Sequence, residues 1–105
     1  MKNYKEERPW GTFENLYDED DGKVKIITIY PGQSPSYQYH HKRGEVWTVL
    51  SGKGKLRLND EYIEMLPGKT YEVPVGAHHQ PINDGTENLV FVETQIGSYF
   101  GEDDI

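Results

Sequence analysis

The chain has 105 residues, a length that suits one domain and leaves no room for a second. Its 11 Lys and Arg residues against 18 Asp and Glu residues give a formal net charge of -7. That charge argues against a nucleic-acid partner, because nucleic-acid binding needs a basic surface to neutralise phosphates. There is no cysteine, so disulfides, thiolate metal sites and cysteine nucleophiles are excluded. No apolar stretch resembles a signal peptide or a membrane span, so we expect a cytoplasmic protein with no membrane partner.

Short runs rich in Val, Ile, Thr and Tyr follow one another along the chain, separated by Gly, Pro, Asn and Asp. They predict strands at residues 11–17, 24–30, 45–51, 55–58, 62–65, 71–75 and 88–96. The acidic residues 18–22 are interpreted as a solvated turn, and Asn59-Asp60 as a hairpin turn. Residues 101–105 are expected to form a loose tail or the start of a truncated element. Many short strands without helical periodicity indicate an all-β sandwich or barrel.

Three potential metal ligands precede and begin the third of these strands. Gln38 and His40 are two residues apart, so in an extended chain their side chains share a face. A Gly-containing turn after His41 can bring Glu45 back beside them. An amide oxygen, an imidazole nitrogen and a carboxylate oxygen are all competent ligands for a divalent ion.

A fourth ligand is predicted later in the chain. Pro74 and Gly76 favour a tight turn that delivers His79 to the following strand. The predicted metal site therefore contains two imidazoles, one carboxylate and one amide. Such a mixed nitrogen and oxygen site suits zinc or manganese first, with iron, cobalt and nickel also able to fit.

The spacing of these residues resembles the two motifs of the cupin superfamily. The first motif corresponds to Gly32, Gln38, His40, Glu45 and Gly52, with Gln38 standing where the family has its first histidine. The second motif corresponds to Gly68, Pro74, Gly76, His79 and Asn83. The resemblance implies one cupin domain over residues 1–105, folded as a double-stranded β-helix, which is a jelly-roll-like barrel.

A narrower resemblance is to type II phosphomannose isomerases. Residues 36–47 are similar to the signature Ser-x-Gln-x-His-x-x-Arg-x-Glu-x-Trp of those enzymes, and Arg8-Pro9-Trp10-Gly11 and residues 101–105 resemble the opening and close of their domain. The resemblance implies metal-dependent conversion of mannose 6-phosphate to fructose 6-phosphate. The broader resemblance to small cupin barrels, which commonly pair their sheets, implies a homodimer. In many relatives this domain follows a sugar-phosphate guanylyltransferase domain, and no stretch of the present sequence is recognised as that domain.

The same resemblance implies residues that bind the substrate. Arg43 falls on the family arginine and, with Lys42, forms the best local basic cluster for a phosphate. The residue that moves the proton is left open among His41, His78 and Glu72. Because one fold hosts many chemistries, two alternatives are also open: a metal-dependent cupin oxidoreductase such as an iron dioxygenase, and a non-catalytic sugar- or metal-binding module.

Overall fold

The computed structural model describes residues 4–105, and strands are the only regular elements in that range. The strands are β1 (Tyr4–Arg8), β2 (Gly11–Glu19), β3 (Gly22–Ile29), β4 (Arg43–Ser51), β5 (Gly54–Leu58), β6 (Glu61–Met65), β7 (Thr70–Val73), β8 (His79–Ile82) and β9 (Leu89–Gly97). Among the described residues there is no helix long and apolar enough to cross a membrane.

The strands form two antiparallel sheets, one ordered β1-β2-β3-β9-β4-β7 and the other β6-β5-β8. Side chains from both sheets meet in one apolar core, to which Leu56 and Met65 contribute from the smaller sheet and Val49 and Phe91 from the larger. Burying these faces against each other removes apolar surface from water and stabilises the barrel. The predicted all-β barrel is confirmed. The sequence-based prediction gave no residue ranges for β1 and β8.

The inward positions of the three central strands change from apolar to polar along the barrel. On β3 the buried series runs from Ile29 and Ile27 to Lys25 and Lys23. The same change occurs on β9, from Leu89 and Phe91 to Glu93 and Gln95, and on β4, from Val49 and Trp47 to Glu45 and Arg43. The strand register places the apolar residues of the three strands at one end of the barrel, where they form the core. It places the polar residues at the other end, where their buried side chains line a polar chamber.

The segment after β9 is held in place, so the expectation of a loose tail at residues 101–105 is wrong. The backbone amide of Ser98 donates to the carbonyl of Lys42 at 2.9 Å. The carboxylate of Asp104 is buried and accepts hydrogen bonds from the backbone amides of His41 at 3.0 Å and Lys42 at 2.9 Å. These bonds satisfy backbone donors of the loop before β4 and fix the segment over the polar end of the barrel.

Candidate metal centre

Three of the four predicted ligands meet in the polar chamber. His40, Glu45 and His79 are buried, and one ligand atom of each lies within 4.8 Å of the others. The Glu45 carboxylate approaches both rings, with Oε2 3.4 Å from His40 Nε2 and Oε1 3.8 Å from His79 Nε2. Two imidazoles and one carboxylate form the donor set of many zinc and manganese sites, so these residues could hold a divalent ion.

Hydrogen bonds on the far side of each ring direct Nε2 into the chamber. His40 Nδ1 lies 2.5 Å from the backbone carbonyl of Asp104, and His79 Nδ1 lies 3.1 Å from that of Ala77. With these carbonyls as acceptors, Nδ1 carries the proton and Nε2 keeps its lone pair, as in most metal-binding histidines.

Burial keeps both rings in the form that binds metals. Desolvation lowers the pKa of His40 below its usual value, and desolvation lowers the pKa of His79 to about 4. Both imidazoles are therefore neutral at pH 7. A neutral imidazole binds a cation without first releasing a proton to solvent, so the chamber favours metal uptake near neutral pH.

Gln38 lies at the edge of the same chamber and is joined to His79 through the backbone. The amide of Gln38 donates to the His79 carbonyl at 3.0 Å, and the amide of His79 donates back at 2.7 Å. The side-chain amide of Gln38 donates to Ser36 Oγ at 2.9 Å, which leaves its oxygen as the group that could face an ion. Its role as fourth ligand stays a prediction.

Arg43 and Trp47 fix the Glu45 carboxylate. Arg43 is buried and donates from Nε to Glu45 Oε2 at 3.1 Å, and its Nη2 lies 3.1 Å from His40 Nε2. The indole Nε1 of Trp47 donates to Glu45 Oε1 at 2.8 Å. Both carboxylate oxygens thus accept hydrogen bonds from charged or aromatic donors, which fix the orientation in which Glu45 would meet a metal ion.

The chamber is continuous with a cavity of about 360 Å³. The polar part of its wall contains the three candidate metal ligands together with Arg43, Lys25 and Glu93. Its aromatic part includes Trp10 and Phe13. A cleft of this size and mixed lining is typical of small-molecule sites.

The remaining predicted site residues lie elsewhere. Lys42, His41, His78 and Glu72 are exposed, and none lines the cavity. The two histidines flank Tyr39, with ring centroids 4.9 and 4.5 Å from it. Side chains alternate between faces along an extended chain, so a neighbour of an inward residue points outward. The roles assigned to these four residues stay predictions, and the geometry does not bring any of them to the metal cluster.

Glu93 is a site residue that the motifs did not indicate. It lies on β9, is buried in the cavity wall and accepts a hydrogen bond from Gln95 Nε2 at 2.7 Å. Burial, and then the neighbouring Glu45 carboxylate, raise the pKa of Glu93 to about 8. A carboxyl group with this pKa is largely protonated at neutral pH. Strand parity with Phe91 was the sequence signal that could have placed it inside the barrel.

Comparison with known sequences identifies the family. The model of the family described as "Mannose-6-phosphate isomerase C-terminal" matches residues 1–105. The xanthan biosynthesis protein XanB of Xanthomonas campestris pv. campestris (strain B100) is 39% identical over 98 residues, which are 93% of this chain and 21% of that protein. Mannose-1-phosphate guanylyltransferase 2 of Escherichia coli O157:H7 is also 39% identical over 98 residues, with 93% and 20% covered. The chain thus spans about a fifth of the length of these curated relatives.

Solved structures agree on the fold. A double-stranded β-helix protein from Klebsiella pneumoniae superposes with a TM-score of 0.82 at 22% identity, covering 91% of this chain and 84% of that one. A protein from Acidithiobacillus ferrooxidans, whose assignment as a sugar phosphate isomerase is itself provisional, is 31% identical with a TM-score of 0.69 and coverage of 90% and 68%. The chain therefore belongs to the family of mannose-6-phosphate isomerase C-terminal domains and has the double-stranded β-helix fold of the cupins.

Proposed function

We propose that this chain is a metal-dependent sugar-phosphate isomerase that interconverts mannose 6-phosphate and fructose 6-phosphate. The observation that carries the proposal is one cavity whose wall contains both a buried cluster of metal ligands and buried cationic side chains. Cations inside the cavity suit an anionic substrate, although the chain as a whole has a net charge of -7. The family match supports the same substrate class.

Aldose–ketose isomerisation moves a proton between two adjacent carbons and shifts negative charge onto the neighbouring oxygen. His40, Glu45 and His79 would hold a divalent ion, which would supply Lewis-acid stabilisation of that charge. Arg43 and Trp47 hold the Glu45 carboxylate in place by hydrogen bonds. Zinc or manganese is the proposed metal, because the donors are two imidazoles and an acidic oxygen.

Glu93 is the group in the wall best placed to move the proton. Its pKa of about 8, raised by burial and by Glu45, lies close to neutral pH, where an acid–base group can both release and accept a proton. His41, His78 and Glu72 are the alternatives from the sequence, but all three are exposed and lie outside the cavity. Glu93→Gln therefore separates these assignments, because it removes acid–base chemistry while nearly preserving shape.

The alternatives differ in what the cavity should contain. A dioxygenase cupin favours an apolar pocket without a phosphate clamp, whereas this cavity is lined by Arg43 and Lys25. A non-catalytic binding module would use the same metal and sugar-phosphate contacts, and differs from an enzyme by the absence of turnover. The isomerase and the module are therefore distinguished by assay.

The test is a coupled assay for fructose 6-phosphate, run on protein stripped of metal and reloaded separately with zinc, manganese, iron, cobalt or nickel. We expect turnover with at least one metal, loss of turnover in His79→Ala and Glu93→Gln, and retained turnover in the control Glu61→Gln, whose side chain is exposed on β6 and outside the cavity. Metal binding without turnover under every condition would contradict the isomerase and favour the binding module. Iron-dependent oxygen uptake would favour the dioxygenase.

A further inference from the structure

A second cluster of charged side chains adjoins the metal centre at the polar end of the barrel. Lys23 and Lys25 occupy inward positions on β3, and Arg43 occupies the corresponding end of β4. Their side chains are only 9%, 6% and 5% exposed. Lysine and arginine are rarely buried to this extent unless they are paired with anions. We therefore ask which anionic group neutralises these three side chains.

One oxygen atom serves all three cations. Glu102 Oε2 lies 3.2 Å from Lys25 Nζ, 3.6 Å from Arg43 Nη1 and 3.7 Å from Lys23 Nζ. The Glu102 side chain is 57% exposed, so the cluster opens to solvent where this carboxylate sits. The carboxylate also lines the cavity that contains the metal ligands.

The carboxylate satisfies these cations incompletely. Two of the three distances exceed 3.5 Å, whereas charge-assisted hydrogen bonds are about 2.7–2.9 Å long. Arg43 Nη1 is buried and has no hydrogen-bond partner among the described residues. Asp18 and Glu45 do not supply the missing close contacts. Asp18 lies 3.9 Å from Lys23 Nζ, and Glu45 contacts Arg43 at Nε rather than at Nη1.

A phosphoryl group matches the cluster better than a carboxylate does. It carries about two negative charges and three terminal oxygens, so each cation can receive its own oxygen. A guanidinium also suits phosphate because its N–H groups form a planar fork.

We propose that Lys23, Lys25 and Arg43 form a phosphate-binding subsite in which Glu102 occupies the place of the phosphoryl group and is displaced by a phosphorylated ligand. Arg43 takes part in both the metal centre and the phosphate subsite, since its Nη2 contacts His40 and its Nη1 faces Glu102. A sugar phosphate bound here therefore has its phosphate next to the metal centre, separated from it by one guanidinium. The ligand being a sugar phosphate rests on the proposed function; the anion subsite itself does not.

Glu102 acts as a competitor in this arrangement. Partial burial favours its neutral form, but Lys25, Arg43 and Lys23 outweigh that effect and hold the pKa of Glu102 below its usual value. The residue is thus ionised at neutral pH. Two residues further along the chain, the Asp104 carboxylate anchors this segment by accepting a hydrogen bond from the backbone amide of His41. The Asp104 carbonyl also orients the His40 ring. Displacing Glu102 does not require release of Asp104.

The test is calorimetric titration of inorganic phosphate into the full chain, which needs neither turnover nor a sugar. We expect Glu102→Gln to bind phosphate about tenfold more tightly than the unaltered protein, because the competing charge is gone. Glu61→Gln makes the same change of net charge at an exposed position of β6, and we expect it to leave binding unchanged. Lys25→Met should weaken binding at least tenfold.

Two results would overturn the subsite: equal phosphate affinity in Glu102→Gln and Glu61→Gln, or binding that Lys25→Met leaves intact. Glu102 is exposed, so its variant decides the question even where Lys25→Met fails to fold. Displacement of bound phosphate by mannose 6-phosphate but not by mannose would support a sugar phosphate as the ligand. Phosphate binding without isomerase turnover would overturn only the proposed function, and turnover without the Glu102 effect would overturn only the subsite.

Discussion

Glu93 links the site to the stability of the fold. Burial, and then Glu45, raise its pKa from 4.5 to about 8 in the folded protein. Between these values the folded state keeps a proton that the unfolded chain has released. The free energy of unfolding should therefore fall as pH rises, by roughly 1.4 kcal/mol per pH unit at the steepest. The contribution is fully present below pH 4.5 and is lost as pH rises through about 8.

Glu93→Gln removes this titration and keeps the shape of the protonated acid. Its amide oxygen can still accept the hydrogen bond that Gln95 donates. His40 and His79 titrate in the opposite sense: burial lowers their pKa values, so their contribution is present above 6.5 and is lost as pH falls through the folded values. Burial is the largest cause of both histidine shifts and Glu93 is a smaller one, so most of that contribution is common to the two proteins and their difference reports mainly on Glu93.

The assay is urea unfolding of both proteins without metal, across about pH 5 to 8. We expect the variant to gain stability relative to the unaltered protein as pH rises, by roughly 3–4 kcal/mol over the range. Glu61→Gln, an exposed carboxylate on β6, serves as the control and should show no comparable trend. A difference that stays constant with pH to within about 0.5 kcal/mol would refute the account of Glu93 as a buried, protonated acid.

Three further outcomes follow from the packing and the ligand set. His79→Ala should lose bound metal on dialysis, as measured by elemental analysis, and a full complement of metal in the variant would contradict the assigned centre. Phe91→Ala should lower the free energy of unfolding by about 3–5 kcal/mol, because the ring is fully buried. Gly52→Ala should cost more stability than Gly32→Ala in urea unfolding: both have positive φ, but only at Gly52 would a Cβ meet a backbone atom, at 2.1 Å from the Asn88 carbonyl oxygen. Equal losses at the two glycines would contradict this steric reading.

The grouping of the candidate metal ligands His40, Glu45 and His79 was predictable because strand parity and turn residues act locally. Gln38 and His40 share a face by their spacing, and the turn at Gly76 delivers His79. The same parity, applied strictly, also shows why Glu72 points outward: Val73 beside it is buried. It would equally have placed Glu93 inside the barrel.

The rest depended on contacts between distant parts of the chain. Nothing in the acidic run at residues 101–105 indicates that Glu102 faces Lys25, 77 positions away, or that Asp104 caps the loop before β4. β8 was hard to bound because Pro81 interrupts it, which a strand tolerates only at a sheet edge, and β8 is an edge strand. β1 is polar, so its pairing with β2 leaves no apolar alternation to detect.

The position of Trp47 gives the protein an internal optical probe. Its indole donates to Glu45 and lies edge-on to His79, with ring centroids 5.8 Å apart, while its other side contacts Phe91. Any cation that engages those two side chains changes the electric field at the indole. Intrinsic fluorescence should therefore respond to metal loading, and open-shell ions should quench emission more strongly than zinc does, which separates zinc from the open-shell ions without a label.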